Sequence, residues 1–186
     1  MAVIAPFKGI VYNQDTIPDL ARVVAPPYDV VHEEDKALYY QAHPHNVLHI
    51  DLGPSLPEDN HPYDWHQRAA LQFNRWLAEG ILARHEKPAV YYTETDFTYP
   101  GTGRRMTRHG FVCLLRLEEF GEKSKVRPHE RTFSEHKAER LDHLLHVQAH
   151  LSQIFTVFSE DTCQAQVILE AGLKRPLLDF TDRKGQ

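Results

Sequence analysis

Between Asp64 and Gly80 the apolar residues Trp65, Ala69, Phe73 and Trp76 recur at spacings of four, four and three. That period is one stripe of an α-helix, because side chains three and four apart lie above one another on a helical surface. Asp64 suits an N-cap and Gly80 a helix end. Two tryptophans on one stripe demand a large apolar surface to bury against, so the segment predicts a core helix and not a cofactor box. The rest of the chain has to supply what this helix packs on.

Residues 7–12 read as a short strand. Residues 23–31 follow as a stiff extended loop, in which Pro26 and Pro27 fix φ and push their predecessors into the extended region. Tyr28 and Asp29 are therefore presented on a rigid backbone. The pattern then predicts a helix over 33–42, a strand over 46–52 and a polar, proline-rich loop over 53–62. Strand-like stretches at 89–98 and 105–117 flank Tyr99-Pro100-Gly101-Thr102-Gly103, which predicts a long hairpin. A second long helix is expected over 135–150, with Ala138, Leu141 and Leu144 or Leu145 facing the core. A buried strand at 154–158, a helix at 163–172 and a strand at 177–181 complete the reading. Strands and helices interleave without repeats or low-complexity tracts. The expected architecture is one α+β (mixed α/β) domain over residues 1–186: a twisted mixed sheet with a long hairpin, flanked by the two longer helices.

The length of 186 residues fits a single domain. Such a chain buries roughly 70% of its unfolded surface, so it needs neither disulfide nor metal to be stable. Hydrophobic residues at 41% and charged residues at 25% match a soluble globular protein. A formal net charge of −5 argues against general nucleic-acid binding, yet leaves room for a local basic pocket. Cys113 and Cys163 stand fifty residues apart in no paired motif, as reduced thiols of a cytosolic protein would. The longest apolar run, 111–115, is far too short to span a membrane, and no signal peptide is visible. The expected location is the cytoplasm, with no membrane partner.

Chemistry concentrates in Arg127-Pro128-His129-Glu130-Arg131-Thr132 and the helix after it, which carries Lys137 and Arg140. A carboxylate and an imidazole adjoin cations that can hold phosphate, which suits proton transfer on a phosphorylated small molecule. A charged loop ahead of a helix is the plainer reading. His143, His146 and His150 share one helix face with Asp142 or Glu139 nearby. Three ligands from one helix rarely complete a metal site, so a solvated polar face is expected and no metal is assigned. Gly101-Thr102-Gly103-Arg104-Arg105 with Arg108 has the residues of a phosphate-cradling loop. It lacks the terminal Lys-Ser/Thr and precedes a strand, so a hairpin turn with exposed arginines is the better reading. Asp29 after the double proline is either a carboxylate held for binding or part of a simple turn.

Ile4-Ala5-Pro6-Phe7-Lys8-Gly9-Ile10, Ala25-Pro26-Pro27-Tyr28-Asp29-Val30-Val31 and Pro44-His45-Asn46-Val47 resemble the N-terminal part of the bacterial DUF1015 family. So do Pro128-His129-Glu130-Arg131-Thr132 with Lys137, Arg140 and Leu141, and Leu151-Ser152-Gln153-Ile154-Phe155. The resemblance runs from Ile4 to about Gly185. One departure is Ser152-Gln153, where the family commonly has Ser-Pro. The resemblance implies a protein roughly twice as long, whose Asp-Gly-His-His-Arg motif would lie beyond Gln186. That motif is similar to one in ParB-like free-serine kinases.

By resemblance, then, the expected activity is small-molecule phosphoryl transfer from pyrophosphate or a nucleotide, which a divalent cation could accompany. Glu130 would take the proton of a substrate hydroxyl and His129 would orient it. Arg131, Lys137 and Arg140 would neutralise phosphate charge, and Asp29 with Tyr28 would bind the substrate. A non-catalytic ligand-binding or assembly module is the alternative. If the chain is a fragment, the strand at 177–181 should be an unpaired edge through which copies associate.

Overall fold

A computed structural model describes residues 2–61, 64–129, 133–159, 164–171, 176–183 and 185. The chain is α+β, as its patterning predicts. Two compact units form, each assembled from separated stretches. Ile10–Arg84 and Leu117–Ser152 make the first; Ala2–Gly9, His85–Arg116 and the residues from 153 on make the second.

The first unit is organised by helix α3, Asp64–Ala78, whose stripe residues Trp65, Ala69, Phe73 and Trp76 are all buried. Its end follows from local geometry. Gly80 sits at φ 70°, and the amides of Gly80 and Ile81 donate to the carbonyls of Leu77 and Trp76 at 3.3 and 2.9 Å. This is a left-handed glycine stop with both terminal carbonyls satisfied. Asp64 is the first helical residue, and its carboxylate accepts the amides of Asn60 and His61 at 2.8 and 3.1 Å. A short antiparallel pair, β2 (Ile10–Tyr12) with β3 (Leu82–Arg84), returns the chain beside α3. The strand expected over 7–12 is thus shorter. Helix α1 spans Glu33–Ala42, the bounds expected.

The stretch 46–52 departs from expectation: it is not a strand but the helical turn α2, Leu48–Asp51. Asn46 causes the change. Its side-chain oxygen accepts the Leu48 amide at 3.0 Å, and its side-chain nitrogen donates to the carbonyls of Arg22 and Val24 at 2.9 and 3.1 Å. A fully buried asparagine thereby pins the preceding loop and starts the turn. Asn46→Ala leaves the Leu48 amide unpaired in the core and removes the bonds to the part-buried carbonyls of Arg22 and Val24. We expect a loss of about 1–3 kcal/mol in urea denaturation, the penalty of stranding buried polar groups; a change within experimental error would refute that role.

Helix α4 spans Ser134–Val147 and packs on α3. It ends before the expected 150 because Gln148 adopts a left-handed φ of 55° and returns its amide to the Leu144 carbonyl at 2.8 Å. Its buried face also differs from expectation. Ala138, Leu141 and Leu145 are exposed and Leu144 is half-buried, whereas His143 and Val147 are buried and Glu139 and Arg140 half-buried. The polar face turns inward because partners on other elements satisfy it.

In the second unit, β4 (Tyr91–Thr98) and β5 (Arg105–Val112) form the expected hairpin, with Tyr91 opposite Val112 and Thr98 opposite Arg105. Gly101 and Gly103 take positive φ at its tip, beside exposed Arg104 and Arg105. Strand β1 (Ile4–Ala5) pairs with β6 (Leu114–Leu115). The strand content among the described residues is thus three two-stranded antiparallel ladders. Helix α5 covers Gln164–Ala171, and the ends of the stretch expected for it, Cys163 and Gly172, lie outside the described residues. Residues 154–158 and 177–181 join no ladder, contrary to expectation. Ile154 and Val157 are 85% and 81% exposed, so an apolar run alone did not make a buried strand. Without a strand at 177–181, the proposed sticky edge is absent there. No helix among the described residues is long and apolar enough to cross a membrane.

Candidate functional site

Five pieces of the first unit converge on Arg140. The double proline delivers Tyr28 into a short 3-10 turn, Tyr28–Val30. Turn α2 ends in Asp51, α3 contributes Trp65 and His66, α4 contributes Glu139, Arg140, Asp142, His143 and His146, and Ser152 follows. Gly53 makes this convergence possible, since a Cβ there would stand 2.9 Å from the Trp65 ring.

The guanidinium of Arg140 lies over the Tyr28 ring at 4.1 Å. Its Nε and Nη2 donate to the two Glu139 oxygens at 2.6 and 2.5 Å, a bidentate fork. Its Nη1 donates to the main-chain and side-chain oxygens of Asp51 at 3.1 and 3.2 Å. Asp51, itself buried, accepts the Ser152 hydroxyl at 2.7 Å. The network continues through fully buried His66, whose Nε2 faces Glu139 at 3.1 Å and whose Nδ1 faces Asp142 at 2.6 Å. Each ring nitrogen of His66 thus has a carboxylate partner. His143, also buried, donates Nε2–H to the Ile50 carbonyl at 2.8 Å.

These contacts shift the titrations. Burial pushes the Glu139 carboxyl upward, but the hydrogen bonds and charge of Arg140, then those of His66, outweigh it and leave it below its ordinary range. For Arg140 burial works downward, and Glu139 and Asp51 more than compensate. Burial holds the His143 imidazole below its ordinary value; the Ile50 bond opposes this and the charges of Arg140 and His66 reinforce it. Burial raises the Tyr28 hydroxyl, against the pull of Arg140.

The sign for stability is the same for both depressed groups. As pH falls, the unfolded state takes up the proton first, so stability is full above the unfolded value and drains below it. His143 begins this below about pH 6.5, and Glu139 adds to it below the ordinary carboxylate range. His43 and His45, lowered chiefly by burial, act in the same direction as His143. We therefore expect denaturation midpoints to fall between pH 7 and 5 and more steeply below; a flat profile across both windows would contradict the assignment.

Of the residues singled out by sequence, Tyr28 and Arg140 are brought together. Asp29 is exposed on the same 3-10 turn, and His129 and Lys137 are exposed. Glu130 and Arg131 lie outside the described residues. The three helix histidines do not share a site: His143 turns to Ile50, and His150 falls beyond the end of α4. Instead His66, Asp142 and His146 place one ligand-type atom each within 4.8 Å of one another. Asp51 and His66 escaped the sequence reading. His66 carried a usable signal, since it stands three before Ala69 and seven before Phe73, on the stripe itself. A shallow hollow of about 430 Å³ lined by Arg68, Leu71, Arg75 and Trp76 shares no residue with this cluster.

One unit is helical and carries a half-buried, carboxylate-bound arginine, and the other is built on a hairpin. The chain belongs to the DUF1015 family, described as a protein of unknown function, which it matches over residues 4–186. No curated protein and no solved structure matches it.

Proposed function

We propose that the chain is the N-terminal part of a small-molecule phosphotransferase, similar to free-serine kinases, that takes its phosphate from pyrophosphate or a nucleotide. The observation that supports this reading is the stacking of Tyr28, from the double-proline block, on Arg140, which leads on through Glu139 to His66 and Asp142. It joins two of the blocks that resemble the family into one preorganised, proton-bearing cluster. Arg140 spends its hydrogen bonds on Asp51 and Glu139, so here it acts as a positioning residue. Exposed Lys137, with Arg131, is then left to meet the phosphate, while Glu130 takes the hydroxyl proton and His129 orients it. Asp29, exposed one residue after Tyr28, is placed to meet a substrate ammonium group. The test is phosphoserine formation by the full-length protein from free serine with pyrophosphate or a nucleotide, followed by phosphorus NMR with and without a divalent cation. Absence of product under every combination, with the protein folded, would overturn it.

A second reading has its own observation. Ile154, Phe155, Val157 and Phe158 are all exposed in the second unit, which favours an assembly module that keeps the fold without chemistry. That reading expects concentration-dependent association by light scattering; a monomer at high concentration would remove it.

A further inference from the structure

We infer that His66, Asp142 and His146 form a site for one divalent transition-metal ion, with zinc the best fit. Such a site stands independently of phosphoryl transfer. His66 Nδ1 and His146 Nδ1 lie 2.6 and 3.5 Å from the same oxygen, Asp142 Oδ2. Zinc bonds of about 2.0–2.2 Å in a tetrahedron place donor atoms roughly 3.4 Å apart; both distances to Asp142 lie within about 1 Å of that, and all three donor atoms lie within 4.8 Å of one another. The three donors come from two packed helices, and Asp142 and His146 stand one turn apart on α4. That removes the objection to three ligands from a single helix.

The surroundings match a metal-bound imidazole. Such a histidine donates its other ring nitrogen to a carboxylate that fixes its tautomer. His66 does this through Nε2 to Glu139, and Glu139 is itself held by the Arg140 fork. The metal takes the place of the proton now shared between His66 Nδ1 and Asp142, and that proton leaves to solvent. His146 Nδ1 now donates to the Asp142 carbonyl at 2.8 Å, a bond it exchanges for the metal. Asp142 and His146 are 40% and 42% exposed, which provides an entry path and leaves the fourth position open to water or a ligand. Two imidazoles and one carboxylate suit zinc and its neighbours, whereas magnesium and calcium prefer oxygen donors. The nearby carboxylates of Asp51 and Glu139 face a single guanidinium, so a dication is well compensated.

The experiment is zinc titration by calorimetry of the whole chain after removal of adventitious metal with a chelator. One equivalent is expected to bind with release of protons. His146→Ala, a half-exposed position that leaves the core intact, should abolish that equivalent, as should Asp142→Asn. Glu139→Gln should weaken it by about 10–100-fold, the size of an outer-partner effect. His136→Ala and His150→Ala, exposed histidines outside the cluster, should leave it unchanged. No uptake by the wild-type chain, or uptake that survives His146→Ala in full, would overturn the site.

Discussion

Arg140→Met is expected to destabilise the first unit by about 3–5 kcal/mol, because it strands buried Asp51 and half-buried Glu139 without their countercharge. Methionine keeps much of the aliphatic stem, so the effect isolates the guanidinium, its stack on Tyr28 included. The double variant with Asp51→Asn should recover part of the loss, since the orphaned charge is then gone. Urea denaturation read by tryptophan fluorescence follows the change directly, because Trp65 and Trp76 both lie in this unit. A loss below 1 kcal/mol would mean that solvent screens the cluster, as at a surface ion pair.

On the proposed function, Glu130→Gln should lower phosphoryl transfer by the full-length protein by about 10²–10⁴-fold, the usual contribution of a general base. The amide keeps the size and most of the hydrogen bonding of the carboxylate but cannot take the proton. Its melting temperature should stay unchanged. Simultaneous loss of activity and melting temperature would make Glu130 structural, and unchanged activity would remove it from the mechanism. Lys137→Ala, on the exposed face of α4, should instead raise the KM for the phosphate donor with a smaller effect on kcat.

What could be read from the sequence was what local pattern controls. The stripe of α3, the bounds of α1 and the hairpin around Gly101 and Gly103 follow from periodicity and from glycine at positive φ. The failures share a cause. The turn at 48–51 is started by Asn46, whose other bonds go to residues more than twenty positions earlier. The inward face of α4 is polar because Asp51, Ile50 and His66 meet it from 73 to 93 positions away. A reading that looks for apolar residues turns such a helix the wrong way round. Residues 154–158 show the converse: an apolar run without a ladder partner stays exposed. For the site, the two halves of the Tyr28–Arg140 contact were visible as separate blocks, but nothing local announced that they meet.

The interleaving of the two units sets the order in which the chain can become protein. Asp51 reaches Arg140 across 89 positions and Ser152 across 101, and the stretch 85–116 of the other unit is translated in between. At roughly 5–20 residues per second, the ribosome leaves the tryptophan stripe of α3 without α4 for several seconds. During that interval Tyr12, His45 and α2 can already cover the Trp76 end of the stripe, while the Trp65 end waits for His143 of α4. The first unit can therefore close only once its last stretch, to Ser152, has been made, and its folding is slow for a small helical assembly because its decisive contacts are distant in sequence.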